Sequence, residues 1–428
     1  MELINKLLGS TANNPRFDRR YIDKTFWALF LVLIVISLIA LSSATSTLVF
    51  TDDSILGPIS HQLVFILIGV VCAWFMQFMP SWLIRMIAYG AWSIMVLILL
   101  SMLIPHNPFV VTLNGAGRWF KLGIAFQPSE FAKLGMVIVV ADLLSRAKTP
   151  EQMHKAFYYS LGAAAITILP IMIGNLSTAV LMGGVVLLIW IIAGVDWRQW
   201  GAALLIAISV LVCGYVVVEY AFIKPGRELP KLLSRATTWV SRIDDMIEEK
   251  RSKKEGDTYV INDDNYQRSL AKVAVARGGL SPVGVLPGNS QERDYLPLPY
   301  ADYIFAIIVE ETGIVGALFL IFVYLAILFR ACYVSARYED HGAMVMMMGM
   351  ALMIVCQALI SMAVSVGLGP VTGQQLPMIS KGGTSTVATA LYFGVMMAVS
   401  REQNQITGMQ KDAKSESLDE IPIIDLNQ

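Results

Sequence analysis

Long runs of apolar residues dominate the sequence, and each is about as long as a membrane crossing requires. A spanning helix needs about 20 mostly apolar residues. Ten candidate runs are found, at residues 25–47, 59–79, 82–104, 129–147, 157–174, 176–194, 199–220, 315–336, 342–366 and 382–400. The pattern predicts an all-α polytopic membrane protein with about ten transmembrane helices. The fourth run is the least regular, because it carries Glu130, Lys133 and Asp142.

Basic residues in the short loops predict how these helices are oriented. If the N-terminus is cytoplasmic, fifteen Lys and Arg residues lie inside. Only three then lie in short outside loops: Arg118, Lys121 and Lys381. Because short cytoplasmic loops are enriched in Lys and Arg, both termini are predicted to be cytoplasmic.

Polar segments define the rest of the predicted organisation. Residues 1–24 form a cytoplasmic N-terminal segment with no cleavable signal, and residues 25–402 hold the membrane domain. A large external loop, residues 221–300, separates the seventh and eighth spans. The charged part of this loop, RIDDMIEEKRSKKEGD, is predicted to be helical, whereas ARGGLSPVGVLPGNSQERDYLPLP is too rich in Gly and Pro for a long helix. Residues 403–428 are predicted to be a disordered cytoplasmic tail.

Composition agrees with a membrane protein and narrows the possible functions. The chain is 56% hydrophobic and 15% charged, and its formal net charge is zero, so nothing suggests nucleic-acid binding. The four cysteines lie in apolar stretches and the four histidines are scattered, without the spacing of metal ligands.

An acidic and a basic residue follow each other at helical spacing at the start of the fourth span. Glu130 suits the positive N-terminal end of that helix, and Ser129 could cap it. Lys133 follows Glu130 by three residues, so the two share a helix face and can pair. Charged residues inside a membrane helix usually serve function, although a purely structural pair is the alternative.

Two external segments are candidates for holding a phosphate. Arg118 and Lys121 lie in a glycine-containing stretch that is predicted to be a cationic loop. Ser380 and Lys381 lie in a turn that opens the last span, where backbone N–H groups favour anions. Lipid headgroups are the alternative ligand for either segment.

Asp302 begins the stretch DYIFAIIVEETG after a long polar segment. It is either a helix N-cap or a general base that works beside the external cations. Thr312 and Gly313 interrupt the apolar run, which predicts a half-helix over residues 302–313. Glu310 and Glu311 are adjacent and cannot share a helix face, so we interpret them as polar packing contacts.

Four motifs in this order resemble those of the SEDS family (shape, elongation, division and sporulation), the FtsW and RodA proteins. They are GAGRWFKLG with FQPSEFAKL, ARGGL with GNSQ, YADYIFAIIVEETG, and GPVTGQQLPMISKGGTS. The resemblance extends over about residues 25–402. It implies a peptidoglycan glycosyltransferase that joins lipid II units into a nascent glycan strand at the outer face of the bacterial cytoplasmic membrane. It also implies a class B penicillin-binding transpeptidase as partner.

The resemblance implies roles for individual residues. Asp302 takes the place of the family's essential aspartate, and Arg118, Glu130 and Lys133 match its RW, SE and AK positions. We expect Asp302 to be the general base, and the pyrophosphate of the substrate to bind at Arg118, Lys121, Glu130, Lys133, Ser380 and Lys381. The polar N-terminal segment and the tail favour a division-type member, located at the septum with other division proteins.

The sequence also departs from the family pattern. The acidic EPDxGTA motif is replaced by IGNLSTA at residues 173–179, Leu298 and Tyr300 replace a Glu and a His near Asp302, and Lys381 replaces a tyrosine. A divalent cation, Mg²⁺ or Mn²⁺, could assist the leaving group, although no ligand cluster demands one. The alternative functions are a lipid II flippase or transporter and a non-catalytic division scaffold.

Overall fold

All ten predicted spans fall on helices in the computed structural model. These helices are α1 (Lys24–Ala44), α2 (Gly57–Met76), α3 (Ser81–Ser101), α4 (Pro128–Ser145), α5 (Pro150–Gly174), α6 (Leu176–Ile192), α7 (Trp197–Val218), α9 (Ile304–Ser335), α10 (His341–Ser365) and α11 (Thr384–Asp419). A further helix, α8 (Tyr266–Gly279), belongs to the predicted external loop. The structure describes residues 21–44, 57–104, 107–113, 116–122, 124–224, 237–241, 244, 266–279, 285, 289–292, 295–296, 300–337, 340–369 and 373–419.

The all-α membrane architecture is confirmed for this part of the chain. Within the described residues, seven helices are long and apolar enough to cross a membrane: α1, α2, α3, α5, α7, α9 and α10. The other three are shorter or more polar. Helix α6 has 17 residues, α4 carries three charged residues, and α11 begins with Thr-Ser-Thr.

Helices α4 and α10 form the centre of the bundle. Helix α4 packs against α3, α5 and α10, and α10 also packs against α6, α9 and α11. A Cβ atom added to Gly135 would lie 2.7 Å from the Cβ of Trp92, and one added to Gly349 would lie 2.6 Å from Val137. Small residues let membrane helices approach closely, so these two glycines fix the spacing of the central helices. Helix α7 has no buried residue and lies at the periphery.

Helix α9 is two helices joined at a break. Gly313 has φ 68° and ψ −164°, which is outside the helical region. An L-residue with a side chain rarely adopts a positive φ, so glycine is required at this break. The predicted half-helix is therefore confirmed, and it spans Ile304 to Thr312 ahead of the longer second half. Helix α8 packs on this half-helix through Ala271, Ala274 and Ile307.

A small antiparallel sheet corrects the predicted loop around Arg118. It consists of β1 (Val110–Leu113), β2 (Ala116–Leu122) and β3 (Ile124–Phe126), in the order β1-β2-β3. The strands are rich in β-branched and aromatic residues, and Asn-Gly follows β1 in the sequence. Both features favour a hairpin, but strands this short form no long apolar run.

The chain also differs from prediction near its C-terminus. Helix α11 continues past residue 402, the predicted boundary of a disordered tail, to Asp419. Residues 403–419 contain one glycine and no proline, so nothing in the local sequence ends the helix. The N-terminal residues 1–20, most of the loop 221–300 and residues 420–428 lie outside the described residues. The predicted charged helix at 242–257 also lies outside them, except for Asp244.

Candidate functional site

Asp302 lies immediately before the half-helix of α9. The N-cap position of this helix is Tyr303, and no side chain caps it. Asp302 therefore does not occupy the N-cap position, which was the structural alternative for this residue. Its side chain is half-buried, so it remains partly accessible to a ligand.

Asp302 and Arg118 face the same glycine. A Cβ atom added to Gly373 would lie 3.7 Å from Oδ2 of Asp302 and 3.8 Å from Nη1 of Arg118. Gly373 itself has a positive φ of 61°. The absence of a side chain at this position therefore leaves space beside both a carboxylate and a guanidinium group. A carboxylate and a guanidinium group are thus brought together from parts of the chain that are far apart in sequence.

A β-bulge sets the direction of the Arg118 side chain. Val111 pairs with Trp119 and Thr112 pairs with Gly117, so Arg118 is the extra residue in β2. Bulges near functional sites commonly redirect a side chain. The Nε atom of Arg118 donates a hydrogen bond to the carbonyl oxygen of Gly174, at a distance of 3.2 Å. This bond attaches the sheet to the C-terminal end of α5.

Lys121 lies on the same strand but is not brought to this site by any described contact. Its side chain is exposed, whereas that of the neighbouring Phe120 is buried. Successive side chains of a strand point to opposite faces. The exposed Lys121 side chain and the half-buried Arg118 side chain therefore have different surroundings.

Ser380 and Lys381 hold the segment that precedes Asp302. The Ser380 hydroxyl is buried, accepts from Leu376 N at 2.9 Å and donates to the carbonyl oxygen of Ala301 at 2.6 Å. The Lys381 N–H donates to the carbonyl oxygen of Tyr300 at 3.0 Å, and its ammonium lies 4.8 Å from the centre of the Tyr300 ring. Burial lowers the pKa of Lys381. Ser380 therefore positions Asp302 through the backbone, rather than presenting a free hydroxyl to phosphate.

The predicted Glu130–Lys133 pair is formed. Lys133 Nζ lies 2.8 Å from Oε2 of Glu130, and only 1% of the Lys133 side chain is exposed. The same ammonium donates to Oε1 of Gln357 at 3.2 Å. Glu130 lies in the first turn of α4, where Gln127 rather than Ser129 occupies the N-cap position. Ser129 instead accepts a hydrogen bond from the Gln127 side chain.

Glu310 and Glu311 make the packing contacts predicted for them, in different directions. Glu310 is fully buried and accepts from the Ser290 hydroxyl and from Gln291 N. Glu311 accepts from the Ser43 hydroxyl of α1. The first glutamate therefore anchors the external loop on the half-helix, and the second joins the half-helix to the bundle.

Sequence reasoning missed the glutamines that surround this site. Gln374 Nε2 donates to the Thr178 hydroxyl at 2.6 Å, and Gln357 Nε2 donates to the carbonyl oxygen of Gln375 at 3.0 Å. Asn175, in the segment that departs from the family's acidic motif, caps α6 by accepting from Thr178 N. Gln357 could have been found from the sequence, because it is the single amide side chain in the apolar α10 sequence. Polar groups in membrane helices usually bond to a neighbouring helix.

Positive charge beside Asp302 comes from Arg118. Among the residues that the structure describes, no three His, Cys, Asp or Glu side chains come together as a metal site would require.

Comparison with known proteins identifies the family. The family model for the cell cycle proteins FtsW, RodA and SpoVE matches residues 23–405. The chain belongs to this FtsW/RodA/SpoVE family. It is 26% identical to the peptidoglycan glycosyltransferase MrdB of Escherichia coli K12, over 91% of this chain and 96% of that protein. It is 30% identical to stage V sporulation protein E of Bacillus subtilis, over 87% of this chain and 94% of that protein.

The fold is also that of the FtsW/RodA/SpoVE family. A chain from a solved peptidoglycan synthase complex, which coordinates polymerization and crosslinking, matches with a TM-score of 0.67. The alignment covers 89% of this chain and 98% of that chain, at 22% identity. The helical bundle is therefore shared with that chain.

Proposed function

We propose that the protein is a peptidoglycan glycosyltransferase that polymerises lipid II at the outer face of the cytoplasmic membrane. The observation that carries the proposal is the placement of Asp302 and Arg118 beside Gly373, at the head of a half-helix. Membership of the FtsW/RodA/SpoVE family and the name of MrdB support it. The reaction needs a base for a sugar hydroxyl and a cation for a departing pyrophosphate, and these two residues offer both.

The mechanism is a single inverting displacement. The 4-hydroxyl of the acceptor GlcNAc attacks the anomeric carbon of the donor MurNAc, and Asp302 takes the hydroxyl proton. The bond from that carbon to the pyrophosphate oxygen breaks, and undecaprenyl pyrophosphate leaves with the electron pair. Arg118 stabilises the negative charge that grows on the leaving group. Such preorganised stabilisation is commonly the largest catalytic contribution.

The remaining basic residues add positive charge around Asp302 and Arg118, each in a different position. Lys381, which follows Ile379 by two residues, places its ammonium group beside the ring of Tyr300. Tyr300 precedes Asp302 by two residues, so this cation lies next to the segment that carries Asp302. Lys133 is buried with Glu130, so its charge acts on the pyrophosphate through the surrounding field rather than by direct contact. Lys121 is exposed on the sheet, where it can attract an anionic lipid toward the site.

We also propose the partners and the location. A class B penicillin-binding transpeptidase crosslinks the strand that this enzyme makes, as expected from the likeness to a chain of a synthase complex. The polar N-terminal segment favours a role in division, with the enzyme at the septum of the inner membrane among other division proteins.

The decisive experiment is lipid II polymerisation by the purified protein, with and without a class B transpeptidase. Asp302→Asn removes the base and preserves the size of the side chain. General-base catalysis raises a reaction rate by roughly 10²–10⁴-fold. We therefore expect the rate of glycan-strand formation to fall by at least about 100-fold. Near-normal strand formation by Asp302→Asn would contradict the assignment of the base.

A lipid II flippase is the second candidate, and the broken helix α9 favours it. Discontinuous helices are frequent in transporters. Proteoliposomes that carry labelled lipid II separate the two functions, because a flippase moves the lipid across the bilayer without making polymer. A non-catalytic scaffold predicts instead that cells relying on Asp302→Asn grow normally.

A further inference from the structure

A buried amide on α10 connects the charged pair of α4 to the loop that faces Asp302. Oε1 of Gln357 accepts from the Lys133 ammonium at 3.2 Å. Nε2 of the same side chain donates to the backbone carbonyl of Gln375 at 3.0 Å. Gln357 is 8% exposed, so neither bond competes with bulk water.

The loop that receives this bond carries the glycine beside Asp302 and Arg118. Gln375 follows Gly373 by two residues. Its own side chain accepts from the Ser385 hydroxyl at the start of α11, and Gln374 is held by Thr178 of α6. Gly373 therefore lies two residues before the residue whose carbonyl oxygen accepts the Gln357 hydrogen bond, so this bond helps to fix the position of Gly373.

An amide can make both bonds at once. Lys133 offers donors and the Gln375 carbonyl offers an acceptor, so the bridging side chain must accept at one atom and donate at the other. An ionised carboxylate cannot donate, and an apolar side chain can do neither. An unbonded polar group at this depth is costly, which makes the fully bonded arrangement strongly preferred.

We infer that Gln357 is a positioning residue for the transfer reaction. It holds the loop at residues 373–376 in place against α4, so that the space between Asp302 and Arg118 keeps the width that the reacting groups need. The inference rests on the proposed function, because it assigns Gln357 a role in that reaction. Misplacement of a reacting group by about 1 Å can cost on the order of 10²-fold in rate.

Two substitutions break the bridge in different ways. Gln357→Met keeps the approximate length and removes both bonds, whereas Gln357→Asn keeps the amide but is too short to reach both partners. Ser361→Ala is the matched control, because Ser361 is buried one turn later on the same helix and its hydroxyl bonds to nothing in the described structure. All three proteins are purified with the transpeptidase partner and assayed with lipid II.

We expect both Gln357 variants to lose kcat per folded molecule by on the order of 10²-fold, with KM little changed, and to unfold at a lower temperature than Ser361→Ala because buried partners lose their hydrogen bonds. A purely structural role would lower the unfolding midpoint and the fraction of folded protein without changing kcat per folded molecule. If Gln357→Met does not fold, Gln357→Asn decides. A wild-type kcat in the folded variant would overturn the inference.

A double-mutant cycle tests the link to Lys133. If Gln357 acts as the bridge, adding Gln357→Met to Lys133→Met lowers kcat little further. Fully multiplicative losses would overturn the link. The wild-type protein in the same assay separates the two proposals: absence of lipid II polymerisation by the wild type with its partner refutes the proposed function, whereas wild-type polymerisation together with a fully active Gln357→Met refutes only the positioning role.

Discussion

At the scale of single residues, the site depends on where a few polar side chains point rather than on how many there are. Arg118 and Lys121 are three residues apart in the sequence, yet the bulge directs one toward Gly174 and Gly373 while the other is exposed. The two cations therefore have different surroundings although they lie in one short sequence motif.

The difference between these cations gives a prediction. We expect Arg118→Ala to lower kcat for lipid II polymerisation by about 10²–10³-fold, the usual loss for one donor to a developing charge. Lys121→Ala should lose far less, because its side chain is exposed, whereas Arg118 lies beside Gly373. Steady-state assays at two ionic strengths measure both variants. Equal losses would show that the bulge does not select Arg118.

At the scale of elements, the half-helix of α9 is the platform of the site. It presents Asp302 at its start, carries Glu310 as an anchor for the external loop, and supports α8 along its side. Gly278 of α8 lies so close to this half-helix that an added Cβ would be 2.0 Å from the carbonyl oxygen of Val309 and 2.5 Å from Cα of Glu310.

The contact of α8 with the half-helix gives a second prediction. Gly278→Ala must displace backbone, so we expect it to destabilise the docking of α8 by about 1–3 kcal/mol and to reduce polymerisation. Gly279→Ala is the control, because nothing lies within 4 Å of a Cβ at that position. Thermal unfolding in detergent and protease sensitivity of the external loop measure the effect. Identical behaviour of the two variants would contradict the contact.

At the scale of the whole molecule, the bundle brings Asp302, Arg118, Gly373 and Lys381 to one end. Arg118, Lys121 and Lys381 are the three basic residues of the short predicted outside loops, against fifteen predicted to lie inside. Their departure from the charge rule is explained if that end faces outward, where lipid II would be polymerised.

This orientation gives a third prediction. In a background without the four native cysteines, we expect Lys121→Cys to react with a membrane-impermeant thiol reagent in intact spheroplasts. Lys148→Cys, which is also exposed and lies on the short connection from α4 to α5, should react only after lysis. Labelling of Lys148→Cys from outside would reverse the orientation and remove the site from the outer face.

Much of the fold follows from the sequence because the bilayer imposes a simple rule on it. Apolar runs of the necessary length must become helices that satisfy their own backbone hydrogen bonds, so all ten spans were predictable. The break at Gly313 was predictable for the same reason, since Thr-Gly interrupts such a run. The Glu130–Lys133 pair followed from helical spacing alone.

Only the tertiary structure decided which polar groups meet. The separation of Arg118 and Asp302 along the chain does not indicate that their side chains lie close together in space. Their proximity depends on a short sheet, a bulge and Gly373. The pairing of Gln357 with Lys133 and Gln375 likewise depends on how α10 is rotated against α4. The length of each apolar run predicts that helix by itself, because the bilayer core requires about 20 mostly apolar residues per span. The contacts between helices arise from packing of side chains distant in sequence, and this packing determines the site.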